Sequence, residues 1–185
     1  MTLRALADPA PADWWVRAGT DEWTKIVLGP PGYAAYARLQ LVPADDESDV
    51  DLGHLTVTAL RRVLEPHTST PDDCFFGQWE GSGWDPPLRP AHSTFPSRVL
   101  GPGDLADRRY HLFGGTLADS AAWDGGDPPH LMWPADRCWF VTKDVDPDWV
   151  GVAGTELLVD ELLAVDGLDA APSTYSAIDW DRRGP

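Results

Sequence analysis

Residues 143–163 read KDVDPDWVGVAGTELLVDELL, and this stretch combines three features that bear on the fold. Asp144, Asp146 and Asp148 stand at alternate positions, as side chains on one face of a β-strand do. A glycine-rich segment follows them and predicts a turn. From residue 155 onward, leucines and valines at helical spacing predict an α-helix over residues 155–165. The stretch therefore predicts a strand, a turn and a helix in succession.

The rest of the chain offers further strand and helix signals. Residues 33–42, YAAYARLQLV, alternate small or apolar side chains such as Leu39 with polar ones such as Arg38, which predicts a strand. In residues 54–67, Leu55 and Ala59 stand at helical spacing, which predicts a helix that ends near Pro66. Aromatic and β-branched runs predict strands at residues 74–81, 109–115 and 136–146, and an edge strand is expected at residues 168–171. One or two short helices are expected in residues 12–28.

The order of these elements predicts the fold class. Helices at the start, middle and end of the chain surround several strands, without regular alternation of strand and helix. A chain of 185 residues also has the usual size of one domain. We therefore expect a single α+β domain over residues 1–185, with a mainly antiparallel sheet of about four to six strands and three or four helices.

Charge limits the partners of this chain. It contains 30 Asp and Glu against 14 Lys and Arg, for a formal net charge of −16. Nucleic acids and anionic membranes are bound through clustered Lys and Arg, and here the basic clusters are isolated arginine pairs. We expect neither partner. A strongly acidic surface provides solubility or attracts a basic protein. No signal peptide or membrane span is evident, so a cytoplasmic location is expected.

Metal binding and common catalytic motifs are not supported by the sequence. Asp144, Asp146 and Asp148 match the first three ligand positions of a calcium loop, but Trp149 stands where that loop needs glycine and Thr155 where it needs glutamate. Two distant cysteines and five histidines lack the spacing of a zinc site. Neither a serine-hydrolase elbow nor a nucleotide loop occurs. We expect no metal and no cofactor, and we assign no catalytic residue.

Two sets of residues are candidates for a binding or catalytic site. Asp144 and Asp146, with Glu80, could form the paired carboxylates that raise one pKa for acid/base catalysis, although turn chemistry before Pro147 explains the two aspartates as well. Among the ten tryptophans, Trp139 lies in a strand-like run and is expected in the core. Trp84 lies in the Pro-rich and Gly-rich segment 82–106 with Asp85 beside it, so these two are candidate contact residues.

The predicted C-terminal helix is the third candidate. If its leucines face the core, Glu156 and Asp160 lie one turn apart on the outer side, where like charges repel. Glu161 adds to this surface, and no Lys or Arg occurs between residues 144 and 169. We interpret this acidic surface, with Asp146 and Asp148 at its edge, as a docking site for a basic protein; a solvated helix face is the alternative.

The blocks GPPGYAAYARL, PDDCFFGQWEG, RYHLFGG and WPADRCWFVTKDVDPDWVGVAG resemble a family of actinobacterial proteins to which no activity is assigned, so the resemblance implies lineage alone. In size, acidity and Trp content the chain is also similar to immunity proteins such as the SUKH superfamily. Three hypotheses follow: a non-catalytic protein-binding module of immunity-like or regulatory type, a carboxylate-based enzyme near Asp144 and Asp146, or a sugar-binding module built on Trp84. The oligomeric state does not follow from the sequence.

Overall fold

The computed structural model describes residues 3–18, 22–41, 52–83, 87–98, 108–123 and 128–175. Strands from these parts of the chain form one β-sheet. Its nine strands in the described residues are β1 (Arg4–Ala5), β2 (Ala35–Gln40), β3 (Cys74–Trp79), β4 (Phe95–Pro96), β5 (Arg109–Gly115), β6 (Leu131–Pro134), β7 (Phe140–Lys143), β8 (Trp149–Gly154) and β9 (Ala170–Ser173).

The sheet is antiparallel throughout the described pairs. Its order is β1-β5-β3-β6-β7-β8-β2-β9, and β4 pairs with β5 farther along the edge that β1 also uses. The α+β class and the antiparallel sheet predicted from the sequence are confirmed, but the expected four to six strands were too few. The short strands β1, β4 and β6 lack the alternating pattern that reveals a longer strand, which explains why they were missed.

Four α-helices cover the sheet within the described residues: α1 (Asp13–Arg17), α2 (Glu22–Leu28), α3 (Leu52–Leu64) and α4 (Glu156–Leu163). Three short 3-10 helices, Ala10–Ala12, Glu65–His67 and Leu117–Ala122, join them to neighbouring elements. The helices α1 and α2 pack on one face of the sheet, and α3 and α4 pack on the other. None of the described helices is long and apolar enough to cross a membrane.

Strand alternation divides the core between the two faces. On β2, Ala37 and Leu39 point to the α3/α4 face, whereas Arg38 between them is exposed, as the sequence pattern predicts. Trp139 is fully buried on that same face, which confirms its predicted core position. The opposite face holds an aromatic core in which Trp133 stacks on Phe140, with ring centroids 5.6 Å apart.

The strand β8 corrects the prediction of a glycine-rich turn after Asp148. Residues Trp149–Gly154 form a strand that lies between β7 and β2. Gly151 is needed there because α2 packs on the strand backbone: a Cβ atom at this position would lie 2.1 Å from the carbonyl oxygen of Val27. The glycine therefore reflects close approach of a helix, which the chain alone cannot distinguish from a turn.

Strand β7 is shorter at both ends than the predicted strand over residues 136–146. Arg137 closes a turn by donating its N–H to the carbonyl of Pro134, and its φ of 56° lies in the left-handed region. Asp136, in the same turn, accepts hydrogen bonds from Ser69 and Thr68. At the other end, β7 stops at Lys143, so Asp144 and Asp146 belong to the connection to β8 and do not share a strand face.

Helix α3 forms as predicted, and its apolar residues are only partly covered by the sheet. Val57, Leu60 and Leu64 are buried, and Leu55 is 52% exposed. Leu55, Ala59, Val63 and Leu64 recur at the helical spacing that predicts this helix, and of these Leu64 is fully buried whereas Leu55 is not. The orientation of the helix on the sheet, rather than spacing alone, decides which of its apolar residues are covered.

Candidate functional site

Helix α4 presents most of the acidic residues that the sequence singled out. Thr155 caps its N-terminus, with its hydroxyl oxygen accepting the N–H of Leu158 at 3.1 Å. Leu158, Val159 and Leu162 are buried against the sheet. The opposite side exposes four residues, which we call the α4 surface: Glu156, Leu157, Asp160 and Glu161. The geometry predicted for Glu156 and Asp160, one turn apart and outward, is therefore present.

One apolar side chain stands among these carboxylates. Leu157 is 61% exposed and is the most exposed of the large hydrophobic side chains in the described residues, ahead of Leu55 at 52% and Val145 at 47%. Single exposed leucines are common on protein surfaces. An apolar residue bordered by like charges, however, is the arrangement of a small interface core with a polar rim.

Glu161 has a partner that the sequence does not reveal. Its Oε2 atom lies 2.8 Å from Nε2 of His67, which follows α3. The His67 side chain is 11% exposed and the Glu161 side chain 49%, so the contact lies at the junction of the two helices. His67 is distant from α4 in the sequence. Residues 144–169, which contain no Lys or Arg, therefore give no sign of this contact.

The remaining predicted carboxylates lie elsewhere. Asp146 and Asp148 are exposed in the connection before β8, whereas Glu156 follows the far end of β8. A six-residue strand spans about 17 Å between its first and last Cα atoms, so the structure does not place this pair beside the start of α4. Glu80 is exposed just after β3, and its N–H donates to the carbonyl of Arg109 at 2.9 Å. Trp84 and Asp85 lie outside the described residues.

Asp144 differs from its neighbours because it is buried. It is 1% exposed, and its Oδ1 atom accepts hydrogen bonds from the guanidinium NH1 of Arg108 and from the N–H of Val145. Lys143 stabilises the same connection by donating from Nζ to the carbonyls of Asp144 and, at 2.7 Å, Pro147. A paired-carboxylate site of Asp144 and Asp146 is therefore not formed, since one side chain is inside the protein and the other outside.

Arg108 and Asp144 belong to a partly buried group of charges at the end of the sheet where β5 begins and β7 ends. The Arg108 guanidinium carbon lies 4.3 Å from the ring centroid of Trp79 and 5.3 Å from that of Trp23, so the guanidinium makes cation–π contacts with two indoles. Tyr110 is the third residue of this group. Burial raises the pKa of its hydroxyl; Arg108 opposes this shift, and the negative charges of Asp144 and Glu22 add to it. We call these residues the Arg108 cluster: Glu22, Arg108, Tyr110 and Asp144, with the indoles of Trp23 and Trp79.

The Arg108 cluster contains two carboxylate oxygens that lack hydrogen-bond partners in the described part of the chain. They are Oδ2 of Asp144 and Oε1 of Glu22, and both are buried. Buried charged acceptors without a donor are uncommon, because each one forfeits the hydrogen bonds it makes in water. Buried charges and unpaired acceptors in one place are typical of functional sites, and no short motif in the sequence marks them.

Two further ionisable groups border the cluster. Lys25 is buried over the ring of Trp15, and its Nζ donates to the carbonyl of Ser97 at 2.6 Å and lies 3.3 Å from Glu22 Oε2. His130 accepts the N–H of Trp79 on Nδ1 at 3.4 Å. Burial, assisted by the charges of Lys143 and Arg108, lowers the pKa of His130 to about 4, so its ring is neutral near pH 7.

The two cysteines are poorly suited to nucleophilic catalysis. Burial, with nearby aspartates, raises the pKa of the Cys74 thiol to about 12. Cys138 is exposed, but partial burial and Asp136 also raise its pKa. A thiol with a raised pKa contains little of the reactive thiolate at neutral pH. Within the described residues, no group of three or more His, Cys, Asp or Glu side chains is placed to hold a metal ion.

Comparison with known proteins adds no identity to this geometry. No protein-family model, curated protein or solved structure matches the chain. Within the described part of the chain, we take the α4 surface and the Arg108 cluster as the candidate sites.

Proposed function

We propose that this protein is a non-catalytic binding module whose α4 surface docks a basic protein partner. The observation that carries the proposal is the exposure of Leu157 between Glu156 and Asp160 on a helix that is capped by Thr155. An exposed apolar residue supplies contact area, and the carboxylates around it attract a positively charged partner and set its orientation. An immunity protein that neutralises a basic toxin, or a regulator of a basic enzyme, would use such a surface.

The net charge of −16 supports the same function in a second way. A large negative charge accelerates association with a basic partner at low salt, because oppositely charged surfaces attract over about one Debye length. Glu161 contributes charge to this surface but also contacts His67, so it serves structure and binding together. Leu157 and Asp160 are exposed, so their replacement reports chiefly on binding, whereas Glu156 also stabilises the first turn of the helix.

The test separates charge from apolar contact. Asp160→Lys and Leu157→Ser are compared with the wild-type protein in affinity capture from host lysate, and captured partners are then measured by direct titration at low and moderate salt. We expect both variants to bind the partner at least about tenfold more weakly, and the effect of Asp160→Lys to diminish as salt rises.

Two matched controls are available in the same chain. Leu55→Ser removes a leucine of similar exposure from α3, and Asp72→Lys reverses an exposed charge ahead of β3. Both controls should bind the partner as the wild type does. If all four variants retain the same partners with the same affinity, α4 is only a solvated helix and the proposal is wrong.

A further inference from the structure

Strand β9 forms one edge of the sheet. Among the strands of the described residues, it pairs with β2 on one side and with none on the other. It consists of Ala170, Ala171, Pro172 and Ser173, of which Ala171 and Pro172 are exposed. None of these residues is charged, although a charge on an edge strand is a common protection against pairing with a further strand. The opposite edge strand, β1, has two residues and is too short to pair extensively.

The hydrogen bonds to β2 define which backbone groups of β9 face outward. At the next step along the register of the two strands, Gln40 donates its N–H to the carbonyl of Asp169 at 2.8 Å. In an antiparallel pair, hydrogen-bonded residues alternate with residues whose N–H and C=O groups point away from the partner strand. Ala171 therefore bonds to β2, whereas Ala170 and Pro172 direct their backbone groups outward.

Pro172 thus stands at a position where a missing N–H removes no bond within the sheet. At the position of Ala171, a proline would remove a hydrogen bond to β2, because proline has no N–H to donate. At position 172 it removes a donor only from the open edge. Of the two outward residues, Ala170 retains its N–H and Pro172 lacks one.

This loss weakens any pairing between two copies of β9. In a two-fold antiparallel pair with Ala170 of one copy opposite residue 172 of the other, each of the two contacts would contain two backbone hydrogen bonds. Pro172 removes one bond from each contact and leaves the carbonyl of Ala170 without a donor. If residue 172 faces itself instead, both bonds of that contact are lost. The ring is also an obstacle, because its Cδ atom replaces the amide hydrogen that would point at the second strand.

We propose that Pro172 keeps the β9 edge closed to strand addition by a second copy of the protein. The net charge of −16 also repels a second copy, but salt weakens this protection. The repulsion extends over about 10 Å in 0.1 M salt and over about 3 Å in 1 M salt. The proline acts at any salt concentration, because it removes a hydrogen-bond donor. This role is independent of the α4 surface.

The test replaces Pro172 and measures self-association at high salt, where the repulsion is weakest. Pro172→Val restores the N–H in a residue that favours strands. Ala171→Val is the matched control, because it adds the same side chain at an exposed position whose N–H is already bonded to β2. Sedimentation velocity is measured over a concentration series in about 1 M NaCl. We expect Pro172→Val to associate at least about tenfold more strongly than the wild type, and Ala171→Val to match the wild type.

A double variant separates the hydrogen bond from the side chain. In Ala170→Pro combined with Pro172→Val, the missing donor moves to the other outward position and the valine remains. Association should return to the level of the wild type. Hydrogen exchange locates the contact: the amide of Ala170 should exchange more slowly as the concentration of Pro172→Val rises, because it then donates to the second copy.

Thermal unfolding checks that each variant is folded. Pro172→Val changes no hydrogen bond to β2 and should remain folded, and Pro172→Ala supplies the same N–H with a smaller side chain if it does not. Failure of both variants to fold would contradict the outward position of Pro172 and overturn the proposal. So would association of the folded variant no stronger than that of Ala171→Val, undiminished association of the double variant, or association that leaves the amide of Ala170 unprotected.

Discussion

The Nε2 atom of His67 lies 2.8 Å from the Oε2 atom of Glu161, and this contact joins the 3-10 helix after α3 to α4. Glu161 therefore differs from Asp160, although the two are adjacent acidic residues on the outer side of the same helix. The first has a partner that depends on the packing of two helices, whereas the second is exposed. Stability and binding can be assigned to different residues of the α4 surface on this basis.

The His67–Glu161 contact should contribute modestly to stability. We expect Glu161→Gln to lower the free energy of unfolding by about 0.2 to 1 kcal/mol, because the pair is partly exposed. Asp160→Asn should leave it nearly unchanged. A double-mutant cycle with His67→Ala, measured by urea denaturation, gives the coupling energy. Equal effects at Glu161 and Asp160, with no coupling, would contradict a structural role for the pair.

His130 should make stability depend on pH. Its pKa is about 4 in the folded protein, lowered by burial and by Lys143 and Arg108, against 6.5 for an unperturbed histidine. The unfolded chain therefore binds a proton first as the pH falls. The corresponding stability is complete above pH 6.5 and is lost between 6.5 and about 4, by up to about 3 kcal/mol.

The contribution of His130 is isolated by His130→Gln, whose side-chain oxygen can still accept the N–H of Trp79. Urea denaturation at several pH values between 4 and 7 should show a smaller loss of stability on acidification in the variant than in the wild type. Parallel pH profiles of the two proteins would show that other groups cause the acid sensitivity.

Asp136 should anchor the turn between β6 and β7 to the segment after α3. Partial burial raises its pKa, but hydrogen bonds from Ser69, Thr68 and the N–H of Cys138 outweigh this effect and lower the pKa to about 2. The stability that the ionised form provides is thus present above the ordinary pKa of 3.8 and lost toward pH 2. Asp136→Ala should cost about 1 to 3 kcal/mol at pH 7 in denaturant unfolding; if the exposed control Asp146→Ala costs as much, the anchor is not specific.

Trp139 should be structural. Its side chain is fully buried on the α3/α4 face, so Trp139→Ala should cost about 3 to 5 kcal/mol of unfolding free energy. Trp84→Ala should cost far less, because the sequence predicts Trp84 in a loop. Chemical denaturation of both variants compares the midpoints. Similar losses at the two positions would mean that Trp84 is also part of the core.

Gly151 should not tolerate a side chain. In Gly151→Ala the new Cβ would lie 2.1 Å from the Val27 carbonyl oxygen, so α2 must move away from β8. Overpacking of this kind costs about 1 to 3 kcal/mol, and backbone contact places this site at the upper end. Gly154→Ala is the milder control, because its Cβ meets the Leu158 side chain at 3.2 Å and a side chain can shift. Thermal unfolding of both variants should rank them in that order; the reverse order would show that α2 yields easily.

The candidate sites were only partly predictable. The outward positions of Glu156 and Asp160 followed from helical spacing in residues 155–165, because leucines one and two turns apart define the buried side of a helix. The exposed Leu157 and the partner of Glu161 did not follow. Spacing predicted helix α3 but not which of its apolar residues are buried, since Leu64 is buried and Leu55 is exposed.

The sequence by itself determined the α+β class, the antiparallel character of the sheet, the strand alternation of β2 and the burial of Trp139, because each depends on local patterns of apolar residues. Only the tertiary structure decided the nine-stranded order, the use of Gly151 as a helix contact and the Arg108 cluster. Glu22, Arg108 and Asp144 come from three distant segments, and only folding brings their charges into one partly buried group. Local sequence patterns indicate which residues are buried. The pairing of charged side chains depends on the distances between them, and those distances are set only by the folded chain.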